Sequence, residues 1–102
     1  MSVVKLNEKD FEKTVFESEK PVIVDFFATW CGPCKMLAPV ISELSETHPE
    51  ILFVKVDVDE SPSLASAFGV TSIPTLVAVK NGEVVKTNVG FCDEEKVLSL
   101  VK

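Results

Sequence analysis

Residues 21–34 read PVIVDFFATWCGPC, and this stretch joins a strongly apolar segment directly to a pair of cysteines. Residues 21–28 are almost continuously apolar, which is typical of a strand buried on both faces of a parallel sheet. Pro33 suits the first turn of a following helix, where its missing N–H leaves no hydrogen bond unmade. The stretch therefore predicts a buried strand that leads into a helix, with Cys31 and Cys34 at the junction.

The spacing of the two cysteines indicates redox chemistry. Residues three apart on a helix lie about 5–6 Å apart at Cβ, and a disulfide needs Cα atoms roughly 4.4–6.8 Å apart. A disulfide that closes so short a loop stabilises a fold little. The alternatives are an inert thiol pair or half of a zinc site, but only Cys92 and His48 remain as soft ligands. We expect a reversible dithiol couple without a metal or a bound cofactor, because the two sulfurs themselves hold the electrons.

The rest of the chain alternates strand-like and helix-like segments. Strands are predicted over residues 2–6, 21–28, 51–58, 75–80 and 83–89, with Asn81-Gly82 as the turn of a final hairpin. Helices are predicted after Asn7, from Pro33 to about Thr47, from a Ser61 cap to about Phe68, and after Asp93. The order βαβαβαββα predicts an α/β fold with a central mixed five-stranded sheet flanked by four helices, formed by residues 1–102 as a single domain.

The long helix after Pro33 has a recognisable apolar face and one irregular position. Pro39 lies in its interior, where it should kink the helix. The side chains expected to point inward are Met36, Leu37, Val40, Ile41 and Leu44.

Composition excludes several classes of protein. The chain has 102 residues, a net charge of −6 and ten cationic side chains that are all lysine, so nucleic-acid binding is not expected. No segment reaches the 18 or more apolar residues of a membrane span. The N-terminus starts at Met1 and lacks a secretory pattern, and three cysteines do not suit a secreted disulfide framework. We expect a cytoplasmic protein.

The two thiols are predicted to have different roles. Cys31 lies just before the helix, where unpaired N–H groups and the helix dipole favour a thiolate. It should attack a substrate disulfide and form a mixed disulfide. Cys34, one turn inside the helix, should resolve that intermediate.

Asp25 is the only charge within the first buried strand, and Lys55 is similarly isolated in residues 51–58. A buried carboxylate is costly, so Asp25 should be protonated more readily than usual or find a partner. Together the two residues suggest a semi-buried pair beneath the thiols, with Asp25 able to exchange a proton with Cys34. The alternative is a structural ion pair or a solvated strand end.

These motifs resemble the thioredoxin family over essentially the whole chain. The resemblance is carried by VDFFATWCGPCK, the interior Pro39, the lysine of FVKVDVDE, residues 73–75 (IPT), the Asn81-Gly82 turn and residues 89–90 (VG). It implies that Cys31 is the nucleophile, Cys34 the resolving thiol, Asp25 the proton-transfer group and Lys55 its partner.

The same resemblance implies a docking surface around the thiols. Pro74 would follow a cis peptide bond and leave the Ile73 backbone free to pair with an extended substrate; from the residues alone, an ordinary trans proline remains open. Trp30, Ile73 and Gly90 would form the apolar surface, or else be ordinary packing residues. Gly32 and Pro33 would tune the redox balance.

Three residues stand apart from this pattern. Phe27 occupies a position where many thioredoxins have tryptophan, which leaves Trp30 as the only one. Cys92 lies outside the redox motif and is expected to pack, although an exposed thiol could form an intermolecular disulfide or regulate docking. His48 is expected to face solvent near a helix end.

The leading hypothesis is a monomeric protein-disulfide reductase that serves disulfide-containing client proteins and is re-reduced by a thioredoxin reductase. One alternative is a docking module that binds partners without turnover. Another is a disulfide oxidase or isomerase domain, against which the Gly32-Pro33 dipeptide and the missing export signal argue.

Overall fold

The computed structural model describes residues 3–102, and its element order matches the predicted βαβαβαββα order. Ser2, predicted to open the first strand, lies outside the described residues. The strands and helices are β1 (Val3–Lys5), α1 (Glu8–Phe16), β2 (Val22–Phe27), α2 (Gly32–Thr47), β3 (Leu52–Asp57), α3 (Pro62–Ala67), β4 (Thr75–Lys80), β5 (Glu83–Val89) and α4 (Glu94–Ser99). Within the described range, no helix combines the length and the apolar character that a bilayer crossing requires.

The five strands form one mixed sheet in the order β1-β3-β2-β4-β5, which confirms the predicted architecture. β1, β3 and β2 run parallel, whereas β4 pairs antiparallel with both β2 and β5. β2 is therefore the central strand, hydrogen-bonded along both edges. Asp25 sits in its middle, opposite Lys55 on one side and Leu76 on the other.

The sheet separates two apolar layers, because successive side chains of a strand point to opposite faces. Val22, Val24 and Phe26 of β2 pack with α1 and α3. Ile23 packs with α2 and α4 on the other face. By this alternation Asp25 lies on the α2 face, and the two-sided burial predicted for β2 is confirmed.

Helix α2 runs to Thr47 as predicted, and it continues through Pro39. The kink expected there stays a prediction. The prediction that Met36 points inward was wrong, since Met36 is 62% exposed while Leu37, Ile41 and Leu44 are buried. Each residue turns the helix by about 100°, so Met36 falls outside the stripe that these three residues define.

The loops confirm most of the predicted turn and cap chemistry. Asn81 and Gly82 both have positive φ, 54° and 78°, as the tight hairpin requires. Asp93 accepts a hydrogen bond from the Lys96 N–H at 2.9 Å and caps α4. Ser61 occupies the N-cap position of α3, but its hydroxyl makes no cap hydrogen bond.

Candidate redox site

The cysteine pair sits where β2 passes into α2. Cys31 is the N-cap of α2, with extended backbone, and its sulfur accepts the Cys34 N–H at 3.2 Å. The two residues form a disulfide with Cα atoms 5.2 Å apart, within the ordinary disulfide range. Both are nearly buried, at 5% and 3% exposure. The local backbone therefore already has the geometry in which the two sulfurs meet.

The start of α2 suits a negative charge on Cys31. Its first turn carries no acidic residue, and free N–H groups at a helix N-terminus attract anions. When the disulfide is reduced, the Cys34 N–H remains a donor aimed at the Cys31 sulfur. A hydrogen bond to a charged acceptor contributes about 1.5–3 kcal/mol, so this contact stabilises the thiolate.

The Ile73-Pro74 segment lies against Cys31. The peptide bond between the two residues is cis, and the Ile73 carbonyl oxygen is 3.8 Å from the Cys31 sulfur. The Pro74 carbonyl accepts the Gly90 N–H at 2.7 Å. Gly90 has a φ of +96°, which favours glycine at this position. Residues 73, 74 and 90 are thus brought together beside the thiols.

Trp30 presents an open apolar surface next to this segment. Its side chain is 68% exposed, while its Nε1–H donates to Asp59 Oδ2 at 2.7 Å. Asp59 is in turn held through its backbone N–H, which donates to Asp57 Oδ1 at 2.8 Å. The indole is therefore fixed at one edge and free on its face. Sequence reasoning missed Asp59, although the acidic residues 57–60 (DVDE) at the end of a strand were the available signal.

A shallow cleft of about 180 Å³ opens between Trp30 and Ile73. The other lining residues, which motif reasoning also missed, are Val58, Ala65, Val70 and Thr71. Because most of these side chains are apolar, the cleft can accept an apolar side chain next to the disulfide being exchanged.

Asp25 is buried within β2, at 5% exposure, and its Oδ1 has no hydrogen-bond partner among the described residues. Burial raises the pKa of Asp25 from 3.8 to about 7, and the charge of Lys55 partly offsets that rise. The expectation that this carboxyl is protonated more readily than usual is confirmed. Near neutral pH it can therefore both release and accept a proton.

Lys55 lies opposite Asp25 in the sheet register, as predicted, but the two side chains do not form an ion pair. The Lys55 ammonium instead lies 5.7 Å from the centre of the Phe27 ring, a cation–π contact. The charge of Lys55 still lowers the pKa of Asp25, so the partnership of the two residues stays a prediction. Lys55 is only half-buried, and an ammonium group remains near water when its flexible stem allows it.

A small cavity connects Asp25 with helix α2. It has a volume of about 120 Å³ and is lined by Asp25, Lys55, Ala38, Ser42 and two apolar side chains. Ala38 lies one helical turn after Cys34 in α2, and neither cysteine lines the cavity. It is polar on one side and large enough for water.

Within residues 3–102, no hydrogen bond or disulfide joins Cys92 or His48 to the thiol pair. Cys92 is half-buried against the α2–α4 core, and burial, together with Asp93, raises the pKa of its thiol. This favours the packing interpretation. His48 ends α2 and is half-buried, with Nδ1 2.9 Å from Thr47 Oγ1. In residues 3–102, no three His, Cys, Asp or Glu side chains are grouped as metal ligands.

A disulfide at a helix N-terminus, the Ile73 carbonyl beside it and a buried carboxyl on the strand that leads to it are the features of a protein that exchanges disulfides through a dithiol pair. The sequence model of the thioredoxin family matches residues 2–102. The thioredoxin of Bacillus subtilis (strain 168) is 48% identical over 102 residues, which cover 99% of this chain and 96% of that relative. The thioredoxin of Haemophilus influenzae is 44% identical over 100 residues, which cover 97% and 94%.

The thioredoxin of Listeria monocytogenes is also similar, at 48% identity over 96 residues, which cover 93% of this chain and 91% of that protein. The chain therefore belongs to the thioredoxin family. Its Cys31–Cys34 pair is a redox-active dithiol, and the protein is a protein-disulfide oxidoreductase.

Proposed function

We propose that this protein works as a reductant of client-protein disulfides, with Cys31 as the attacking thiolate and Cys34 as the resolving thiol. The observation that carries the proposal is the hydrogen bond from the Cys34 N–H to the Cys31 sulfur at the start of α2. This hydrogen bond stabilises negative charge on the Cys31 sulfur. Among the described residues, the Cys34 sulfur has no equivalent donor.

The reaction consists of two exchanges that conserve electrons. The Cys31 thiolate attacks one sulfur of a client disulfide, and the second client sulfur leaves as a thiolate that takes up a proton. Cys34 then loses its proton and attacks the Cys31 sulfur, which releases the first client sulfur. The client gains two electrons and two protons, and the protein is left with the Cys31–Cys34 disulfide. A thioredoxin reductase returns two electrons to that disulfide.

Asp25 is assigned the proton transfer that activates Cys34. A carboxyl with a pKa of about 7 is matched to a proton acceptor at neutral pH, and the cavity below α2 gives water a place to relay the proton. Lys55 is assigned the role of a positioning residue, since its charge keeps the pKa of Asp25 from rising further.

Client docking is assigned to the surface formed by Trp30, Ile73, Pro74 and Gly90. The Ile73 carbonyl lies beside Cys31, where an extended client segment can pair with it as an added strand. Gly32 and Pro33 separate the two thiols and are assigned the tuning of the redox balance.

The cellular setting is part of the same proposal. A single domain of residues 1–102 would act as a monomer in the cytoplasm and contribute to cell redox homeostasis. The charge of −6 supports solubility, and the odd cysteine count suits a reducing compartment.

A double variant, Cys31→Ser with Cys34→Ser, tests electron transfer against redox-independent docking. The assay is reduction of insulin by dithiothreitol, followed by turbidity, together with rescue of a strain that lacks its own thioredoxins. We expect both readouts to fall to the level without protein, because no sulfur remains to exchange. Retained rescue would favour the docking module. If the wild type instead re-pairs scrambled disulfides faster than it reduces insulin, it is an isomerase.

Replacing Lys55 tests the electrostatic link to Asp25. In Lys55→Met the carboxyl loses the charge that lowers its pKa, so we expect the pKa of Asp25 to rise above about 7. Carboxyl ¹³C NMR of the oxidised protein measures this shift. Lys35→Met, which removes a surface charge beside Cys34 in sequence, is the control. An unchanged Asp25 titration in Lys55→Met would remove Lys55 from the mechanism.

A further inference from the structure

A second and larger cleft lies on the face of the sheet opposite α2, and the thiol pair takes no part in it. It has a volume of about 410 Å³, within the roughly 300–1,000 Å³ of ligand pockets. We call it the acidic aromatic cleft. It is lined by side chains of α1, of α3 with the residue that follows it, and of the start of β5. These residues are Glu8, Phe11, Glu12, Phe16, Leu64, Ala67, Phe68 and Val84.

The floor of the acidic aromatic cleft is formed by three phenylalanine rings. Phe16 and Phe68 are stacked with ring centres 6.2 Å apart, and Phe11 meets each of them edge-on. Phe16 and Phe68 are only half-buried, and Val84 on the rim is 49% exposed. A connected apolar surface is therefore left partly open to solvent, where it can receive an apolar side chain of another molecule.

The rim of the cleft is negative. Glu8 and Glu12 are four residues apart on α1, so they lie on one side of the helix, and no lysine lines the cleft. Glu8 is held in place because its Oε2 accepts the Ser63 N–H at 3.2 Å. The Glu12 carboxylate has no hydrogen bond or ion pair within residues 3–102. Like charges at this spacing destabilise a helix slightly, and a bound cation would relieve the repulsion.

We propose that the acidic aromatic cleft docks a partner polypeptide through an aromatic or aliphatic side chain flanked by lysine or arginine. The apolar side chain would lie on the phenylalanine floor, and the cations would pair with Glu8 and Glu12. Aromatic faces also attract such cations directly.

The position of α3 makes this cleft accessible to a partner already engaged at the thiols. Ala65 lines the cleft beside Trp30, while Leu64 and Ala67 line the acidic aromatic cleft. A partner segment that lies across α3, a helix about 10–12 Å wide with its side chains, would therefore contact both clefts, which adds selectivity for basic, apolar partners.

Peptide titrations followed by ¹⁵N NMR test the proposal on the oxidised protein. The probe is acetyl-Gly-Lys-Phe-Lys-Gly-amide, which has no cysteine and cannot exchange disulfides. We expect saturable shifts at the amides of Phe11, Phe16 and Phe68. The peptides with Glu-Phe-Glu or Lys-Ala-Lys at the centre should bind at least about five-fold more weakly, because each lacks one half of the recognition.

Two variants locate the binding. Glu12→Gln should weaken the Lys-Phe-Lys peptide about three-fold or more, and Ala67→Trp should block it by filling the cleft. Both variants should reduce insulin at the wild-type rate, so loss of peptide binding is separable from failure of the proposed function. Glu95→Gln, on α4, controls for the loss of one surface charge.

Three results would overturn the proposal. They are no saturable shift up to about 10 mM peptide, equal binding of the Glu-Phe-Glu peptide, and shifts confined to residues around Trp30. The last result would assign peptide binding to the thiol surface alone.

Discussion

In a Cys34→Ser variant, a disulfide between Cys31 and the client is expected to accumulate, because the thiol that resolves it is missing. In Cys31→Ser no such adduct should form, since Cys34 lies inside the first turn of α2 without the hydrogen bond that stabilises charge on Cys31. Both variants should lose turnover by about 1,000-fold or more, as expected when either member of a two-step nucleophilic unit is removed. Mass spectrometry of non-reduced samples identifies the linked sulfur.

Cys92→Ser is the matched control for this experiment. Cys92 packs against the α2–α4 core, and neither exchange step uses it, so turnover should stay near that of the wild type. Trapping of the client through Cys34 in Cys31→Ser would reverse the assigned roles. Trapping through Cys92 would show that a third thiol competes for the client.

An Asp25→Asn variant should be more stable than the wild type at alkaline pH and lose that advantage in acid. The pKa of Asp25 is about 7 in the folded protein against an ordinary 3.8, so the folded state binds the proton more tightly than the unfolded chain. The stability that this proton contributes is fully present below about pH 4 and is lost as the pH rises to about 7. The difference of about 3 pH units corresponds to about 4 kcal/mol.

Asparagine keeps the shape of the side chain but never ionises, so it avoids this loss at high pH. Urea unfolding of the oxidised proteins should therefore favour the variant by about 2–4 kcal/mol at pH 8.5 and by much less at pH 4.5. Asp10→Asn, on the exposed side of α1, controls for the change in net charge. A stability difference that does not vary with pH would show that Asp25 is not the group that resists ionisation.

The architecture could be predicted from sequence because its signals are local and agree with one another. The apolar run of residues 21–28 specifies a strand buried on both faces, and β2 is the central strand of the sheet. Asn81 and Gly82 both have the positive φ that a tight hairpin needs. Cys31, Gly32 and Pro33 mark the start of α2 by cap and first-turn chemistry.

The details that sequence could not supply depend on where elements meet in three dimensions. Met36 is apolar but lies on the exposed side of α2, which only the packing direction of that helix decides. Lys55 was expected to act on Asp25, but the contact of its ammonium group with the Phe27 ring could not be predicted from sequence. Asp59 holds Trp30 across 29 positions of sequence, a separation that no local pattern encodes.

The cap of α3 illustrates the same limit. Ser61 has the right residue type and position, but Glu8, 55 positions before Ser63, supplies the acceptor at this helix start instead. The residue preferences around Ser61 predicted the start of α3 correctly, but they assigned the cap hydrogen bond to the wrong side chain. Only the packing of α1 beside α3 makes that partner available.

The central place of β2 has a consequence for the kind of disulfide this protein can open. Because β2 is hydrogen-bonded along both edges and is followed by the cysteines, the thiols have little freedom to move. The protein therefore cannot adapt its shape much to a client. The client must adapt instead, so its cystine must lie in a segment that is flexible enough to become extended. Disulfides in mobile loops of a client should therefore be cleaved much faster than disulfides buried in its compact interior.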